Sequence, residues 1–351
     1  ALDNIEATAK DVLRRLENDG QPITNELLIS ELDKIYKNYK EVEAIKTDDF
    51  LSFIDDYIQN TDKKKPTIKQ YKIVRNNIFE YAELMRKRPT FNDIDLDYYL
   101  GFVEFLTAKG YSPNTIGSRV KGLKLFMNEA YERDLHTNLD FKKKRFSKPK
   151  EETTSVYLNN DELLKIYDCD FSKKRKLDRV RDIFLIGCYT GLRFSDLSQL
   201  KYDNIGGDGT ITVKTVKTGK TVVIPIHTVV RTILAKYNNE LPKMLSNQKF
   251  NDYIKEVTKA AGIDESIFLQ TTKGGLSYTE TVPKYSLVTS HTARRSFATN
   301  AFLAGVPTIS IMKITGHKTE SAFMKYIKIS DKENAIQLKA HKFFNQMVVS
   351  K

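Results

Sequence analysis

Five polar residues in the C-terminal half of the chain have the types and the order needed to attack a phosphodiester without a metal ion. They lie in the strings Thr190-Gly191-Leu192-Arg193, His291-Thr292-Ala293-Arg294, Gly316-His317 and Met324-Lys325-Tyr326. The arginines and histidines would bind a negatively charged phosphorus centre, and the tyrosine oxygen would attack it. A lone arginine is more often a salt-bridge partner, and Tyr326 is one of 18 tyrosines. The combination, rather than any member, therefore points to this chemistry.

The elements predicted to position these residues are mostly helices. Residues 178–190 form an apolar pattern closed by Gly191, and Ser290 is a suitable cap for a helix that begins at His291 and ends at Gly305. Thr319 begins the helix that carries Tyr326. Residues 210–216 and 221–226 alternate between apolar and polar side chains, which predicts a β-hairpin. The apolar patterns of residues 228–236, 247–260 and 308–314 predict three further helices.

The N-terminal half of the chain is also predicted to be helical. Residues 1–46 show two short amphipathic patterns, and residues 47–140 predict a compact helical domain. A linker at 141–155 and a second domain at 156–351 complete the predicted organisation. Because the chain begins at Ala1 inside an amphipathic pattern, we expect it to be a fragment of a longer protein.

The predicted linker is strongly basic. Residues 141–150 contain six basic residues and no acidic one. Such a run is either a solvated linker or a strap that lies along a phosphate backbone, and the sequence leaves both readings open. The candidate DNA-binding residues are Lys142, Lys143, Lys144, Arg145 and Lys148.

Composition narrows the classes of partner. The 351 residues include 57 Lys+Arg against 45 Asp+Glu, a formal charge of +12, which predicts attraction to a polyanion. No apolar run approaches the roughly 18 residues of a membrane span, so nucleic acid is favoured over a membrane. Cys169 and Cys188 are too few for a disulfide framework, and we expect a reducing cytoplasm.

Several tempting motifs fail. Gly219-Lys220-Thr221 resembles the end of a P-loop, but Lys214 occupies the position of the required first glycine. An EF-hand pattern beginning at Asp93 has Tyr98 where the turn glycine belongs. The five histidines show no metal-ligand spacing. We therefore predict no metal and no cofactor.

The polar strings resemble the catalytic boxes of the tyrosine recombinases, the phage-integrase type of site-specific recombinase. The residues from Thr190 to Leu200 match the box of the first catalytic arginine. The other boxes match His291-Thr292-Ala293-Arg294 followed by Ser296-Phe297-Ala298-Thr299, then Ile314-Thr315-Gly316-His317, and then Tyr326. The family's catalytic lysine, in a hairpin turn, matches Lys217, with Lys220 as the competing choice.

This resemblance implies a fold, a catalytic set and a reaction. The fold is mainly α with a small antiparallel β-sheet, in which a helical SAM-like core-binding domain precedes a mixed α/β catalytic domain. The catalytic residues are Arg193, Lys217, His291, Arg294, His317 and the nucleophile Tyr326. The tyrosine would join a 3′ phosphate, and Lys217 would protonate the departing 5′ oxygen. No ATP is needed because one phosphodiester replaces another.

The resemblance also implies partners. Four protomers would assemble on double-stranded DNA at two recombination core sites and proceed through a Holliday junction, with an accessory host factor or excisionase as a further partner. An apolar stretch would dock on a neighbouring protomer or pack in cis; it comprises Ala335, Ile336, Leu338, Phe343, Phe344, Met347 and Val348.

The extra N-terminal helices favour a role in integration of a mobile element. We expect the protein to be cytoplasmic and associated with the nucleoid. The alternatives are an Xer-type chromosome-dimer resolvase, a type IB topoisomerase and a non-catalytic DNA-binding regulator.

Overall fold

The computed structural model describes residues 2–18, 49–238 and 241–329, together with positions 24, 25, 27–32, 34, 334, 335, 338, 339 and 344. The chain divides into two compact units. Unit 1 comprises Ala1–Glu152 and Thr271–Tyr278, and unit 2 comprises Thr153–Gln270 and Thr279–Lys351.

Unit 1 is built from helices whose starts are encoded locally. Asp49, Asp95 and Ser112 each accept a hydrogen bond from a backbone N–H of the helix that follows. Pro113 occupies the first turn after the Ser112 cap, where its missing N–H costs nothing. The helices are α1 (Leu2–Asn18), α2 (Phe50–Asn60), α3 (Lys65–Met85), α4 (Leu96–Ala108) and α5 (Pro113–Tyr131).

The basic segment is attached to unit 1 by two phenylalanines. Phe141 and Phe146 are buried in the aromatic core of that unit, where the Phe146 ring lies 4.5 Å from that of Tyr99. A 3₁₀ turn over Asp140–Lys142 begins the segment. The basic side chains at 142–145 and 148 remain exposed. The segment therefore follows the surface of unit 1 with its charges facing solvent.

Unit 2 surrounds one long central helix. Helix α7 packs against α9, α10 and α11, and its buried residues include Ile183 and Phe184. The helices are α6 (Asn160–Asp168), α7 (Arg175–Thr190), α8 (Phe194–Leu197), α9 (Thr228–Lys236), α10 (Asn247–Ala260), α11 (Ser290–Leu303), α12 (Thr308–Thr315) and α13 (Glu320–Met324).

Two separate antiparallel hairpins complete the fold. Strands β1 (Thr210–Lys214) and β2 (Thr221–Pro225) pair with Val213 opposite Val222. Strands β3 (Ser266–Lys273) and β4 (Leu276–Pro283) form a second sheet. The predicted fold, mainly helical with a small antiparallel sheet, is confirmed.

The second hairpin was not predicted from the sequence. Neither of its strands contains a buried residue, so the apolar alternation that reveals a half-buried strand is weak. The start of α11 also differs by one residue. Thr289, rather than Ser290, is its N-cap and forms a reciprocal capping box with Thr292.

Two predictions concern the ends of the chain. Of the apolar stretch predicted from 335 to 348, only residues 335, 338, 339 and 344 lie among the described residues. Within the described part of the chain, no helix is long and apolar enough to cross a membrane.

Candidate active site

Unit 2 contains a cavity of about 560 Å³ that gathers most of the predicted catalytic residues. Five of the six line it, and Arg294 is the exception. The lining residues are Arg193, Phe194, Ser195, Lys217, Asn247, Ser290, His291, His317, Ala322 and Tyr326. Residues separated by more than 130 positions in the sequence thus meet around one space that a phosphate could enter.

Arg193 is positioned by a helix end and a short helix. Gly191 ends α7 with φ +65°, and a Cβ at this position would lie 2.4 Å from the ring of Phe297. Arg193 then serves as the N-cap residue of α8. Its Nη1 is buried without a hydrogen-bond partner and lies 3.8 Å from Oδ2 of Asp196. A buried cationic donor in this state suits an anionic oxygen of a ligand.

Asp196 links the first arginine to the hairpin. Its side chain is buried, and Oδ1 accepts a hydrogen bond of 2.8 Å from the backbone N–H of Val216. Val216 immediately precedes Lys217 in the β1–β2 turn. Asp196, which is not among the predicted catalytic residues, thus contacts both Arg193 and that turn.

The turn separates the two candidate lysines. Gly219 has φ +67°, and its N–H donates to the Thr215 carbonyl oxygen at 2.8 Å. Lys217 lines the cavity that contains Tyr326. Lys220 lines a neighbouring groove with Ile309 and residues of β2. The geometry therefore favours Lys217 as the lysine closest to the chemistry.

Arg294 lies beneath the cavity and is 1% exposed. Its Nη1 donates to the Gly191 carbonyl oxygen at 2.6 Å, and its Nη2 donates to the carbonyl oxygen of Thr315. The guanidinium carbon lies 5.9 Å from the centroid of the Tyr326 ring, and Nε has no partner. Burial, and then the charge of Arg193, lowers the pKa of Arg294 to about 10. It remains a cation at neutral pH.

The rings of both candidate histidines lie near the ring of Tyr326. Ring centroids lie 4.6 Å apart for His317 and Tyr326 and 6.3 Å apart for His291 and Tyr326. Burial, and then the charge of Arg294, lowers the pKa of His317 to about 4. Burial, and then the charge of Arg295, also lowers the pKa of His291. Both rings are therefore neutral at pH 7.

A hydroxyl selects the tautomer of His317. The Thr315 hydroxyl donates to the Ile311 carbonyl oxygen at 2.7 Å and also lies 2.8 Å from Nδ1 of His317. Since the hydroxyl proton is already used, Nδ1 donates to Thr315. Nε2 is then the nitrogen available for proton transfer in the neutral ring.

Tyr326 lies just after helix α13, which ends at Met324, so the helix predicted to carry this tyrosine stops two residues before it. Thr319 caps α13, with its hydroxyl accepting from the N–H of Ala322 at 3.2 Å. The N–H of Tyr326 donates to the Phe323 carbonyl oxygen at 2.7 Å. Phe323 and Ile327 are buried on either side of the tyrosine, so the apolar packing fixes the segment and leaves the phenol at the cavity.

Two further lining residues escaped the sequence reasoning. The Ser290 hydroxyl donates to Oδ1 of Asn247 at 2.9 Å, and its N–H donates to Oδ1 of Asn251 at 2.8 Å. These contacts join the starts of α10 and α11. The adjacency of Ser290 to His291 was a signal that could have been used. Asn247 offered none, since it lies 44 positions before His291.

The site is rich in hydrogen-bond donors for an anion. Among the described residues, no group of three or more His, Cys, Asp and Glu side chains could hold a metal ion.

Comparisons with known proteins identify the family. The profile of the Phage integrase family matches residues 157–333, and that of the Phage integrase SAM-like domain matches residues 49–146. Tyrosine recombinase XerA of Pyrococcus horikoshii is 27% identical over 300 residues, covering 84% of this chain and 93% of that protein.

Solved structures show the same fold. A Tn1549 transposon integrase in complex with a circular intermediate DNA aligns with TM-score 0.59 at 17% identity, covering 84% of this chain and 100% of that one. A lambda integrase tetramer bound to a Holliday junction aligns with TM-score 0.56 at 19% identity, covering 87% of each chain. The chain belongs to the phage integrase family and is a tyrosine recombinase.

Proposed function

We propose that this chain is a site-specific DNA recombinase that integrates or excises a mobile element through a 3′-phosphotyrosine intermediate. The observation that carries this proposal is the convergence of Tyr326 with Arg193, Lys217 and two histidines around one cavity. Such a set can bind, attack and protonate a phosphodiester without a further reagent. Neither a metal nor a nucleotide cofactor enters the proposed reaction.

In the proposed cleavage step, the Tyr326 oxygen forms a bond to phosphorus as the bond to the 5′ oxygen breaks. The phenol proton passes to a neutral histidine, for which His291 and His317 are the candidates beside the ring. Lys217 supplies a proton to the departing 5′ oxygen. Rejoining reverses these transfers, with a DNA 5′ hydroxyl as the attacking group.

The arginines stabilise the charge that builds on the phosphoryl oxygens. Arg193 lines the cavity, and its Nη1 is a buried donor without a hydrogen-bond partner. Arg294 contributes its positive charge from beneath the cavity, and its Nε is the donor still without a partner. Preorganised donors of this kind act most strongly in the transition state, because the negative charge is greatest there.

In this proposal, DNA binding depends on unit 1 and the basic segment. The exposed side chains at 142–145 and 148 would contact the phosphate backbone without reading sequence. Affinity should fall steeply as salt concentration rises, since each phosphate contact releases counterions. Unit 1, which matches the SAM-like domain, would act as the core-binding domain.

Assembly is proposed to be tetrameric on paired core sites, with a Holliday junction as intermediate. The similarity to an integrase tetramer on a Holliday junction supports this reading. The C-terminal apolar stretch would dock on a neighbouring protomer. An Xer-type resolvase is the second candidate, since a curated relative at 27% identity is named XerA.

A nicked suicide duplex that carries the cognate core site tests the chemistry. We expect a protein–DNA adduct that survives SDS and is absent in Tyr326→Phe. The matched control is Tyr202→Phe, an exposed tyrosine of unit 2 that does not line the cavity. An adduct that persists in Tyr326→Phe would exclude this residue as the nucleophile. A strain lacking the protein separates the two candidates. Loss of element excision would support the mobile-element recombinase, whereas accumulation of chromosome dimers would support the Xer-type resolvase.

A further inference from the structure

A single buried hydroxyl holds the backbone on both sides of Ile327, directly after the proposed nucleophile. Thr299 of α11 is 0% exposed. Its Oγ1 donates to the Tyr326 carbonyl oxygen at 3.3 Å and accepts from the Lys328 N–H at 3.3 Å. A threonine hydroxyl can do both at once because it carries one proton and two lone pairs. We call this pair of hydrogen bonds the Thr299 clasp.

The clasp departs from what other buried helical hydroxyls of unit 2 do. A buried helical Ser or Thr ordinarily bonds to the carbonyl four residues earlier. Several described residues follow this pattern, with the pairs Thr190–Ile186, Thr258–Ile254, Ser296–Thr292 and Thr315–Ile311. Thr299 instead uses its hydroxyl on a segment 27 positions away. Its role is thus to join two elements and not to satisfy its own helix.

The clasp connects the nucleophile to the helix that carries two other site residues. His291 and Thr299 are eight positions apart on α11, a little over two helical turns. Ile327, between the two clasped peptide groups, packs with Ala298 of the same helix in a small apolar cluster. The distance from the Tyr326 phenol to His291 therefore depends on how firmly this segment is held to α11.

We infer that Thr299 is a positioning residue that keeps Tyr326 in register with His291 and Arg294. This inference rests on the proposed function, since it concerns how the proposed nucleophile is aimed. Thr299 touches neither DNA nor the reacting atoms in this role. It acts through the peptide groups that flank Ile327, and a shift of about 1 Å at a reacting group can cost about 10²-fold in rate.

The test compares single-turnover cleavage of the nicked duplex by Thr299→Val and Thr299→Ser. Valine keeps the shape of threonine and removes the hydroxyl, so we expect about 10²-fold slower cleavage with unchanged DNA affinity. Serine keeps the hydroxyl and should restore the rate to within a few-fold of wild type. The matched control is Thr258→Val, which removes an equally buried hydroxyl from α10.

A second measurement detects the Thr299 clasp and does not depend on DNA cleavage. Hydrogen exchange of the peptide covering residues 325–329 should accelerate in Thr299→Val and not in Thr258→Val. If Thr299→Val does not fold, Thr299→Ala replaces it in both measurements. Wild-type cleavage rates in Thr299→Val, or an equal loss in Thr258→Val, would overturn the inference. Absence of any Tyr326 adduct in the wild type would instead overturn the proposed function.

Discussion

The cores of the two units are built from different chemistry. Among the described residues, unit 1 buries one polar side chain, Asn77, whereas unit 2 buries eleven. The core of unit 1 is dominated by rings, such as Tyr57, Tyr71 and Phe126, whose centroids lie 5.4–5.8 Å apart. Aromatic packing therefore supplies most of the stability of this unit.

Unit 2 uses its buried polar groups to tie elements together around the cavity. Asp196 reaches the β1–β2 turn, Arg294 reaches the ends of α7 and α12, and Ser296 accepts from the N–H of Leu158 at 2.9 Å. Satisfied buried polar networks fix one arrangement, because each broken bond leaves a costly unpaired group. Unit 2 therefore uses buried polar groups to hold the geometry of its cavity, whereas unit 1 is held mainly by aromatic packing.

The largest effect is expected from a truncation in the aromatic core of unit 1. Phe126→Ala removes a fully buried ring that packs on Tyr57 and Tyr71. It should lower the free energy of unfolding by about 3–5 kcal/mol, measured by chemical denaturation. Cleavage per bound molecule should be unchanged. The control is Phe79→Ala, which truncates a ring that is 40% exposed. A similar loss of unfolding free energy in that variant would show that the effect of Phe126→Ala does not come from burial of the ring.

Arg294→Ala should break the polar arrangement of unit 2. It removes a cation beneath the cavity and leaves the carbonyls of Gly191 and Thr315 without their donor. We expect cleavage to fall by about 10²–10³-fold while DNA affinity in a gel-shift assay is retained. The exposed Arg231 of α9 provides the control substitution Arg231→Ala. Equal loss of binding and cleavage would mean that Arg294 is only structural.

A smaller effect is expected from Asp196→Asn, which removes a charge and preserves an oxygen for the N–H of Val216. Arg193 then loses its nearest anion, at 3.8 Å, and we expect about tenfold slower cleavage, equivalent to about 1.4 kcal/mol. Asp196→Ala should be slower still, because the link to the hairpin turn is also lost. Asp203→Asn, at an exposed position, is the control. Identical rates for both Asp196 variants would show that the charge alone matters.

How far the sequence predicts this molecule differs between the two units. The helices of unit 1 follow from caps and apolar stripes, since signals such as Ser112-Pro113 act within one turn of chain. The positions of the site residues in the sequence were also readable, because they occur in short strings of recognisable order. These features depend on local chemistry.

What the sequence could not predict depends on distant contacts. Nothing near Arg294 indicates that its guanidinium donates to the carbonyls of Gly191 and Thr315. Nothing near Thr299 indicates that its hydroxyl binds the segment after Tyr326. The hairpin of β3 and β4 was not predicted for a different reason. Strands without a buried face lack the alternation of apolar and polar residues that indicates a strand in a sequence.

A pH dependence of stability is also expected, and it belongs to unit 2. Burial lowers the pKa of His317 from 6.5 to about 4 and also lowers that of His291. Between pH 6.5 and 4 the unfolded chain therefore binds more protons at these positions than the folded chain does. Stability from this source is present above pH 6.5 and is lost as the pH falls toward 4.

His317→Gln tests this linkage by removing one of the two groups. The thermal midpoint of the free protein, measured from pH 8 to pH 4.5, should fall less steeply below pH 6.5 in the variant than in the wild type. Above pH 7 the two curves should run parallel, because His317 is neutral in both folded and unfolded states there. An unchanged slope below pH 6.5 would show that the surroundings of His317 do not lower the pKa of its ring.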